Sequence, residues 1–372
     1  MNTMSSGAPN LDPVSPANQP LVSIVTPVYN GDPYLAECIE SVLAQTYDNW
    51  EYTIVNNCST DRSLEIAKEY AARDARIRVC NNRDFLPMLA NLNMAARQVS
   101  PQSKYCKFLL ADDWLFPDCL RSMVAVAEAN LSVGIVGSYG LRGNHVAWDG
   151  LPYPSTVVPG REICRMTLMG SGLHVFGNPT SLLLRSDRIR SRDPFFNEAN
   201  IHHADTESCY EVLKQTDFGF VHQVLTYTRI RHGSNRTRSE RLNTYLAGVL
   251  SDLVQFGPFY LSESELQQRL RKHLDEYYTF LARSVFPLGE KEFWKFHRSE
   301  LSRCGYPLSS GRLAKAVALR FINGALNPKR TAETIAGLIW GAFRHKRTPQ
   351  DVAGLIQNEF RGAVQKAGDA RL

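Results

Sequence analysis

Apolar and polar positions follow two different periods through the first 140 residues. Residues 21–26, Leu-Val-Ser-Ile-Val-Thr, form an almost continuous apolar, β-branched run, which predicts a buried strand. From Pro33 to Gln45 the apolar residues fall at Leu35, Ile39, Val42 and Leu43, the spacing of one helix face. The alternation then repeats. Strands are predicted over 51–55, 76–80, 105–110 and 133–137, and helices over 62–72, 86–99 and from Pro117 to about Asn130. Ser59, Thr60 and Asp61 are candidate caps for the second helix. Strand–helix alternation of this kind implies an α/β fold built on a mostly parallel sheet with helices on both faces. Such sheets bind ligands at the carboxyl ends of their strands. The polar clusters Tyr29-Asn30, Asn56-Asn57 and Asp112-Asp113 all fall at those ends.

Beyond residue 150 the pattern loosens. Gly and Pro punctuate a stretch with a strand expected over Thr180–Leu184, a helix near Thr206–Lys214 and a strand over Val221–Ile230. After Leu242 the chain reads as mainly helical. The division expected is a disordered leader over 1–20, a catalytic domain over 21–240 and a helical C-terminal extension over 241–372. The first 20 residues are rich in Pro, Ser and Asn and carry no apolar core, so they do not read as a signal peptide.

Composition narrows the function. Of 372 residues, 44% are hydrophobic and 21% charged, which permits a sizeable core. From Gly311 onward there are eleven Lys/Arg against four Asp/Glu, a charge of +7 within a net +5, which leaves −2 for the remainder. That distribution argues against a nucleic-acid binder and makes an acidic surface a partner for the tail. The eight cysteines form no C-x-x-C pair and read as thiols in a reducing, cytoplasmic setting. No apolar run approaches the ~20 residues of a bilayer span.

Two adjacent carboxylates at the end of a buried strand are costly unless a cation or hydrogen bonds meet them. Asp112 and Asp113 therefore suit a hard divalent ion, and equally suit a turn in which Asp113 caps the next segment. No Gly-x-Gly-x-x-Gly or Gly-x-x-x-x-Gly-Lys loop comes after the first strand, which weakens dinucleotide and P-loop readings. The first loop is instead Thr26-Pro-Val-Tyr-Asn-Gly31. Its Pro and Asn shape a rigid turn, and Tyr29 can stack on a base or pack in the core.

Four segments in order carry a resemblance: Val22-Ser-Ile-Val-Thr-Pro-Val-Tyr-Asn30, Leu35-x-x-Cys-Ile-x-Ser-Val-Leu-x-Gln-Thr-Tyr47, Ile54-Val-Asn-Asn-Cys-Ser-Thr-Asp61, and Lys107-Phe-Leu-Leu-Ala-Asp-Asp-Trp114. Together they resemble the family 2 glycosyltransferases over about residues 20 to 235. The resemblance implies a GT-A, Rossmann-like fold, a nucleotide-diphosphate sugar donor, a divalent metal (Mn²⁺ or Mg²⁺) and inversion at the anomeric carbon. By position, Pro27, Tyr29, Asn30 and Asn57 are similar to nucleoside contacts, Asn91 occupies a slot facing the donor, and Asp112 and Asp113 correspond to the Asp-x-Asp region that meets metal, ribose and diphosphate. Two departures stand out. Asn56 and Asn57 replace an acidic residue found in many members, and Leu110 replaces the first Asp of that region, so metal binding rests on Asp112 and Asp113.

The family's acidic catalytic residue falls at His202-His-Ala-Asp-Thr-Glu207. An inverting transfer needs a carboxylate to take the acceptor hydroxyl's proton, and Asp205 is the first choice with Glu207 in reserve. Either could instead be a helix N-terminal carboxylate. His202 and His203 are neighbours that do not share a helix face, so they read as surface or packing residues. Tyr227-Thr-Arg-Ile-Arg-His232 resembles a late family segment in which Arg229 and Arg231 approach the diphosphate and His232 is a third metal candidate. In the tail, apolar residues at Leu313, Val317, Phe321 and Ile322 make a stripe, as does Thr334–Phe343. Such helices either pack on the domain or lie on an anionic membrane.

The reading is therefore a cytoplasmic transferase, peripheral to the inner membrane face if the tail binds lipid. It moves sugar from a nucleotide donor to a glycan or lipid-linked glycan hydroxyl. The rivals are an inactive sugar-nucleotide binding module and a nucleotidyltransferase on a similar sheet.

Overall fold

The computed structural model describes residues 19–148, 150–171, 175–200, 203–230, 242–285 and 291–326. The first strands and helices alternate as β1 (Val22–Val28), α1 (Asp32–Leu43), β2 (Trp50–Asn56), α2 (Ser63–Arg73), β3 (Ile77–Asn81), α3 (Met88–Ala96) and β4 (Tyr105–Phe108). Next come β5 (Trp114–Leu115), α4 (Cys119–Ala129), β6 (Val133–Arg142), β7 (His145–Ala147), β8 (Val157–Val158) and α5 (Gly160–Met169). After these come β9 (Leu183–Arg185), α6 (Ser186–Arg190), α7 (Ala204–Leu213) and β10 (Asp217–Thr228). The remaining helices are α8 (Thr244–Tyr260), α9 (Glu263–Ser284), α10 (Lys291–Arg303) and α11 (Ser310–Leu326).

One ten-stranded sheet runs in the order β3-β2-β1-β4-β9-β6-β10-β5, with β7 paired to β6 and β8 to β10. The half containing β3, β2, β1 and β4 is parallel, as the alternation requires. The other half is mixed, because β9 inserts antiparallel to both β4 and β6. Ile24, Val28, Leu35, Ile39, Tyr52, Ile54, Leu120 and Met123 belong to one buried cluster between sheet and helices. Each such side chain contributes about 1.5–3 kcal/mol by leaving water.

Several boundaries differ from the periodic reading for local reasons. The third helix begins at Met88 rather than Leu86, because Pro87 holds the residue before it extended. The strand expected over Thr180–Leu184 starts only at Leu183. Pro179–Ser181 form a 3-10 turn instead, capped by the Asn178 side chain, which accepts from Ser181 N. The fourth helix begins at Cys119, two residues after Pro117.

A core position carries an unexpected charge. Lys107, in β4, is fully buried, and its Nζ lies 3.4 Å from Met123 Sδ. Burial pushes its pKa below the ordinary lysine value, while Cys119 and Cys106 act the other way. The eight cysteines are all free thiols. No described helix is long and apolar enough to cross a membrane.

The chain forms two compact units, Met1–Leu274 with Ser299–Tyr306, and Asp275–Arg298 with Pro307–Leu372. In the second, Tyr277 Oη and His297 Nδ1 are 2.7 Å apart, with the Phe293 ring 4.3 Å from the imidazole. The Tyr278 hydroxyl accepts from Ser309 N at 2.8 Å, ahead of α11. Along α11, Leu319, Phe321 and Ile322 are exposed. The expected stripe over 334–343 lies outside the described residues.

Candidate active site

The carboxyl ends of β1, β2, β3 and β4 meet in a web of short polar side chains. After β1, Asn30 takes a left-handed conformation (φ 52°), which asparagine tolerates better than most residues. Its Oδ1 accepts from Thr60 N at 2.8 Å, and its own N donates to Ser59 Oγ at 3.0 Å. Gly31 N donates to Ser63 Oγ at 2.7 Å. A Cβ on Gly31 would fall 2.7 Å from Val28 Cγ2, so the turn needs glycine there. Asn30 thus ties the β1–α1 loop to the β2–α2 loop. Beside it Tyr29 is half exposed and meets the Phe85 ring edge-on at 4.9 Å.

Asn57 and Asn91 are both buried. Asn57 clasps the Leu86 backbone at two points: its Nδ2 donates to Leu86 O at 2.8 Å and its Oδ1 accepts from Leu86 N at 2.9 Å. Asn82 Nδ2 then donates to Asn57 Oδ1 at 3.0 Å and to Asn91 Oδ1 at 2.9 Å. Asn57 and Asn91 therefore hold the loop that carries Phe85. Asn82 was not singled out from sequence, although Asn81-Asn82 after β3 repeats the pattern of Asn56-Asn57 after β2.

Asp113 is buried and Asp112 half-buried. Asp113 Oδ2 accepts from Thr180 Oγ1 at 2.7 Å and from Asn178 Nδ2 at 3.0 Å. Its Oδ1 accepts from Arg229 N at 3.1 Å. All three donors are neutral. Burial, and then the Asp112 charge, push the Asp113 carboxyl up to about 7, against the pull of those hydrogen bonds. Leu110, in place of an acid, contributes only backbone here, with its N donating to Thr180 Oγ1 at 3.1 Å.

Arg229 lies across this centre. Its Nε donates to Asp112 O at 3.2 Å, and its Nη2 pairs with Glu37. The guanidinium sits 4.6 Å from the Tyr34 ring centre and 5.5 Å from that of Trp114. Trp114 itself stacks on Tyr227 at 3.9 Å. Arg231, His232 and His202 lie outside the described residues.

Asp205 and Glu207 occupy the first turn of α7. Glu207 is buried and heavily bonded. It accepts from Asn197 at 3.0 Å to each oxygen, from Asn200 at 3.0 Å, from Gln255 at 3.2 Å and from Arg192 at 3.3 Å. Asp205 is half-buried, and its Oδ1 accepts from Thr206 N at 2.8 Å. Burial raises its carboxyl, and the neighbouring His203 opposes that rise.

Two further properties bear on a metal. Among the described residues no group of three or more His, Cys, Asp or Glu side chains gathers to hold an ion. Yet Asp112 and Asp113 are an acidic pair whose joint ionisation is opposed by burial and by like charge. A hard divalent ion relieves that opposition, and such ions take one or two carboxylates and complete their shell with water and phosphate oxygens. The donor set fits that pattern.

The glycosyl transferase family 2 model matches residues 23–187. The putative glycosyltransferase EpsE of Bacillus subtilis is 31% identical over 222 residues, which span 56% of this chain and 78% of EpsE. The chain is a family 2 glycosyltransferase. The enzyme is also 33% identical over 135 residues to the putative teichuronic acid biosynthesis glycosyltransferase TuaG of B. subtilis, covering 36% of this chain and 51% of TuaG. Among solved structures, the glycosyltransferase fold resembles Staphylococcus aureus TarS in complex with UDP-GlcNAc. The TM-score is 0.57 at 17% identity, over 77% of this chain and 80% of TarS residues 1–349. It also resembles the mannosyltransferase PcManGT of Pyrobaculum calidifontis in complex with GDP-Man and Mn²⁺. That TM-score is 0.51 at 15% identity, over 90% of this chain and 89% of the other.

Proposed function

We propose that this glycosyltransferase binds a nucleotide-diphosphate sugar at the carboxyl ends of β1, β2 and β4. It passes the sugar, with inversion, to a hydroxyl of a glycan or lipid-linked glycan. The observation that carries the reading is the Asp112-Asp113 pair at the end of β4, with Asp113 pushed up to about 7 among neutral donors. An acidic pair at a strand end, with its buried member among neutral donors, suits a bound divalent ion and the diphosphate it accompanies. Asp112 would hold the ion, and Asp113 would set the turn from which Asp112 projects. When bound, the ion neutralises charge on the departing diphosphate.

Asp205 is the proposed base. The acceptor oxygen forms its bond to the anomeric carbon from the face opposite the diphosphate, and the bond from that carbon to the diphosphate oxygen breaks. The acceptor's proton passes to the Asp205 carboxylate. Tyr29 would offer a stacking face to the base, with Pro27 and Asn30 shaping its loop and Asn57 and Asn91 supporting the wall opposite. Arg229 would orient Asp112 through its backbone oxygen. The name of TuaG, which places it in teichuronic acid biosynthesis, supports a polysaccharide-type acceptor.

The test is a screen of UDP-, GDP- and dTDP-sugars for ligand-induced stabilisation, with and without Mn²⁺, and then an assay of nucleotide release. A nucleotide that stabilises only with metal, and nucleotide release that requires acceptor glycan, support the reading. Metal-independent binding in wild type removes the role of Asp112.

We also infer a peripheral contact between α11 and anionic lipid. Its exposed Leu319, Phe321 and Ile322 beside Arg312, Lys315 and Arg320 support this reading.

A further inference from the structure

His203 forms the N-cap of α7, two residues ahead of Asp205. Its Nδ1 lies 3.1 Å from Asp252 Oδ2 on α8. The pair is largely enclosed, with the His203 side chain 13% and that of Asp252 5% exposed. The imidazole rests directly on the α8 backbone. A Cβ on Gly248 would come within 2.1 Å of its Cδ2 and 2.2 Å of its Nε2. Tyr245 closes the same side, its ring centre 6.1 Å from that of His203. Tyr245, Gly248 and Asp252 stand three, then four, residues apart, and so form one stripe of α8. That stripe is a socket: an aromatic wall, a floor open only to glycine, and a carboxylate. The other oxygen of Asp252, Oδ1, is buried without a hydrogen-bond partner. A buried carboxylate so poorly supplied depends on a cationic neighbour.

We propose that the His203–Asp252 pair, seated on Gly248, is a positioning device for Asp205, holding an imidazolium beside the base so that its carboxylate stays ionised. The inference rests on the reading of Asp205 as the base. The direction of each titration agrees with it. Burial works against the charged His203 ring, but the Asp252 hydrogen bond and the charges of Asp252 and Asp205 prevail and raise it. For Asp205, burial raises the carboxyl, and His203 leads the influences that lower it.

Among the described residues, the other charged groups packed around the pair do not supply this effect. Glu207 adds negative charge and is matched by Arg192 at 3.3 Å. Arg303 is paired with Glu300 at 2.6 Å. Cys209 is pushed well above the ordinary thiol range by burial and stays neutral. Among these groups the His203 imidazolium is the cation that lowers the Asp205 carboxyl. The carboxylate that holds the ring in place comes from α8, beyond the stretch that matches the family model.

The test is a pH profile of nucleotide release by the full chain, from pH 5 to 9. The probe is whichever of UDP-GlcNAc, UDP-glucose, UDP-galactose or GDP-mannose is turned over by wild type. Asp205→Asn should stay about 10²–10⁴-fold below wild type throughout. His203→Gln should bind the nucleotide normally and approach wild-type turnover at pH 8. At pH 5.5 it should lose severalfold relative to wild type, because without the imidazolium the Asp205 carboxyl rises further and is protonated at higher pH. Gly248→Ala, which removes no charge but displaces the ring, should shift the acid limb the same way by less. A readout free of turnover is the NMR titration of His203. It should lie above the ordinary value of 6.5 in wild type and fall in Asp252→Asn.

Failures separate cleanly. An Asp205→Asn that keeps wild-type turnover overturns the base assignment and this inference with it. An impaired Asp205→Asn beside a His203→Gln acid limb that superimposes on wild type overturns this inference alone. So does a His203 that titrates at or below the ordinary value in wild type, whichever variants fold.

Discussion

The end of β4 and the start of α7 each present two carboxylates, and in each pair one is buried among donors while its neighbour is half-buried. Asp113 and Glu207 are the buried members, Asp112 and Asp205 the half-buried ones. The two buried acids are completed differently. Glu207 has Arg192 at 3.3 Å along with three side-chain amides, so charge and hydrogen bonds are satisfied inside the protein. Asp113 has only the Thr180 hydroxyl, the Asn178 amide and the Arg229 backbone, and faces the like charge of Asp112. Glu207 meets a charged partner inside the protein, whereas the hydrogen bonds to Asp113 come from neutral groups. That difference separates a carboxylate whose charge is met within the fold from one whose neutral hydrogen bonds set the turn beside Asp112, the proposed metal holder, even though both are buried.

The sharpest way to break the comparison is at α7. Asp205→Asn should cut turnover by about 10²–10⁴-fold, the usual contribution of a general base. Nucleotide affinity should persist, because the proposed donor contacts lie on other elements. Glu207→Gln should do the reverse. Replacing a carboxylate that accepts from four side chains leaves a donor among donors, which should cost about 1–3 kcal/mol of stability with turnover nearly kept. Denaturant melts and initial rates on both variants check this. Turnover collapse in Glu207→Gln alone would reverse the assignment.

At β4 the expected effects are smaller but of the same form. Asp113→Ala orphans Thr180, Asn178 and Arg229 N, and should cost about 1–3 kcal/mol. Asp112→Ala should cost less than Asp113→Ala. Equal losses of stability in the two would dissolve the contrast.

Lys107 sharpens the comparison from the opposite sign, since it is a buried cation without a carboxylate partner in its hydrogen bonds. Its folded-state pKa lies below the ordinary value of 10.5. Between the two values the unfolded chain binds more protons, so stability should rise with pH through that window and level off above 10.5. Lys107→Met should remove that slope and add roughly 1–3 kcal/mol at neutral pH, by deleting a poorly satisfied buried donor. Thermal melts between pH 7 and 10 measure both. The weakest expected effect is at α11. Flotation with anionic vesicles should exceed that with neutral ones and should fall in high salt. Equal flotation with both would favour plain packing.

The parallel half of the sheet was legible in the sequence because β1 and β2 are buried along almost their whole length, and β1 reads as a nearly unbroken apolar run. The strand-end clusters were legible for the same reason: polar residues that come directly after such runs have few places to go. Which acid of each pair is spent on the fold was not legible. That choice is made by Thr180, 67 positions from Asp113, and by Gln255, 48 positions from Glu207, and only the fold brings them together. Thr180 was also hidden by its own context, since the apolar run after it suggested a strand, whereas Asn178-Pro179 start a turn. Asn57 shows a subtler limit. Its position after β2 was readable, but its amide is committed to the Leu86 backbone, which no local pattern announces.

The central claim is that the acidic pair at β4 is completed by a metal ion and a nucleoside diphosphate. It is tested most directly by thermal melts of wild type and Asp112→Asn with UDP, GDP and dTDP, each with and without Mn²⁺. Binding to the folded state alone raises its stability by about 2.7 kcal/mol at a ligand concentration 100 times Kd. The account predicts that one nucleotide stabilises wild type only with Mn²⁺, and that Asp112→Asn melts like wild type alone but loses the increment. An increment of the same size in Asp112→Asn, or one that appears equally without metal, would contradict it.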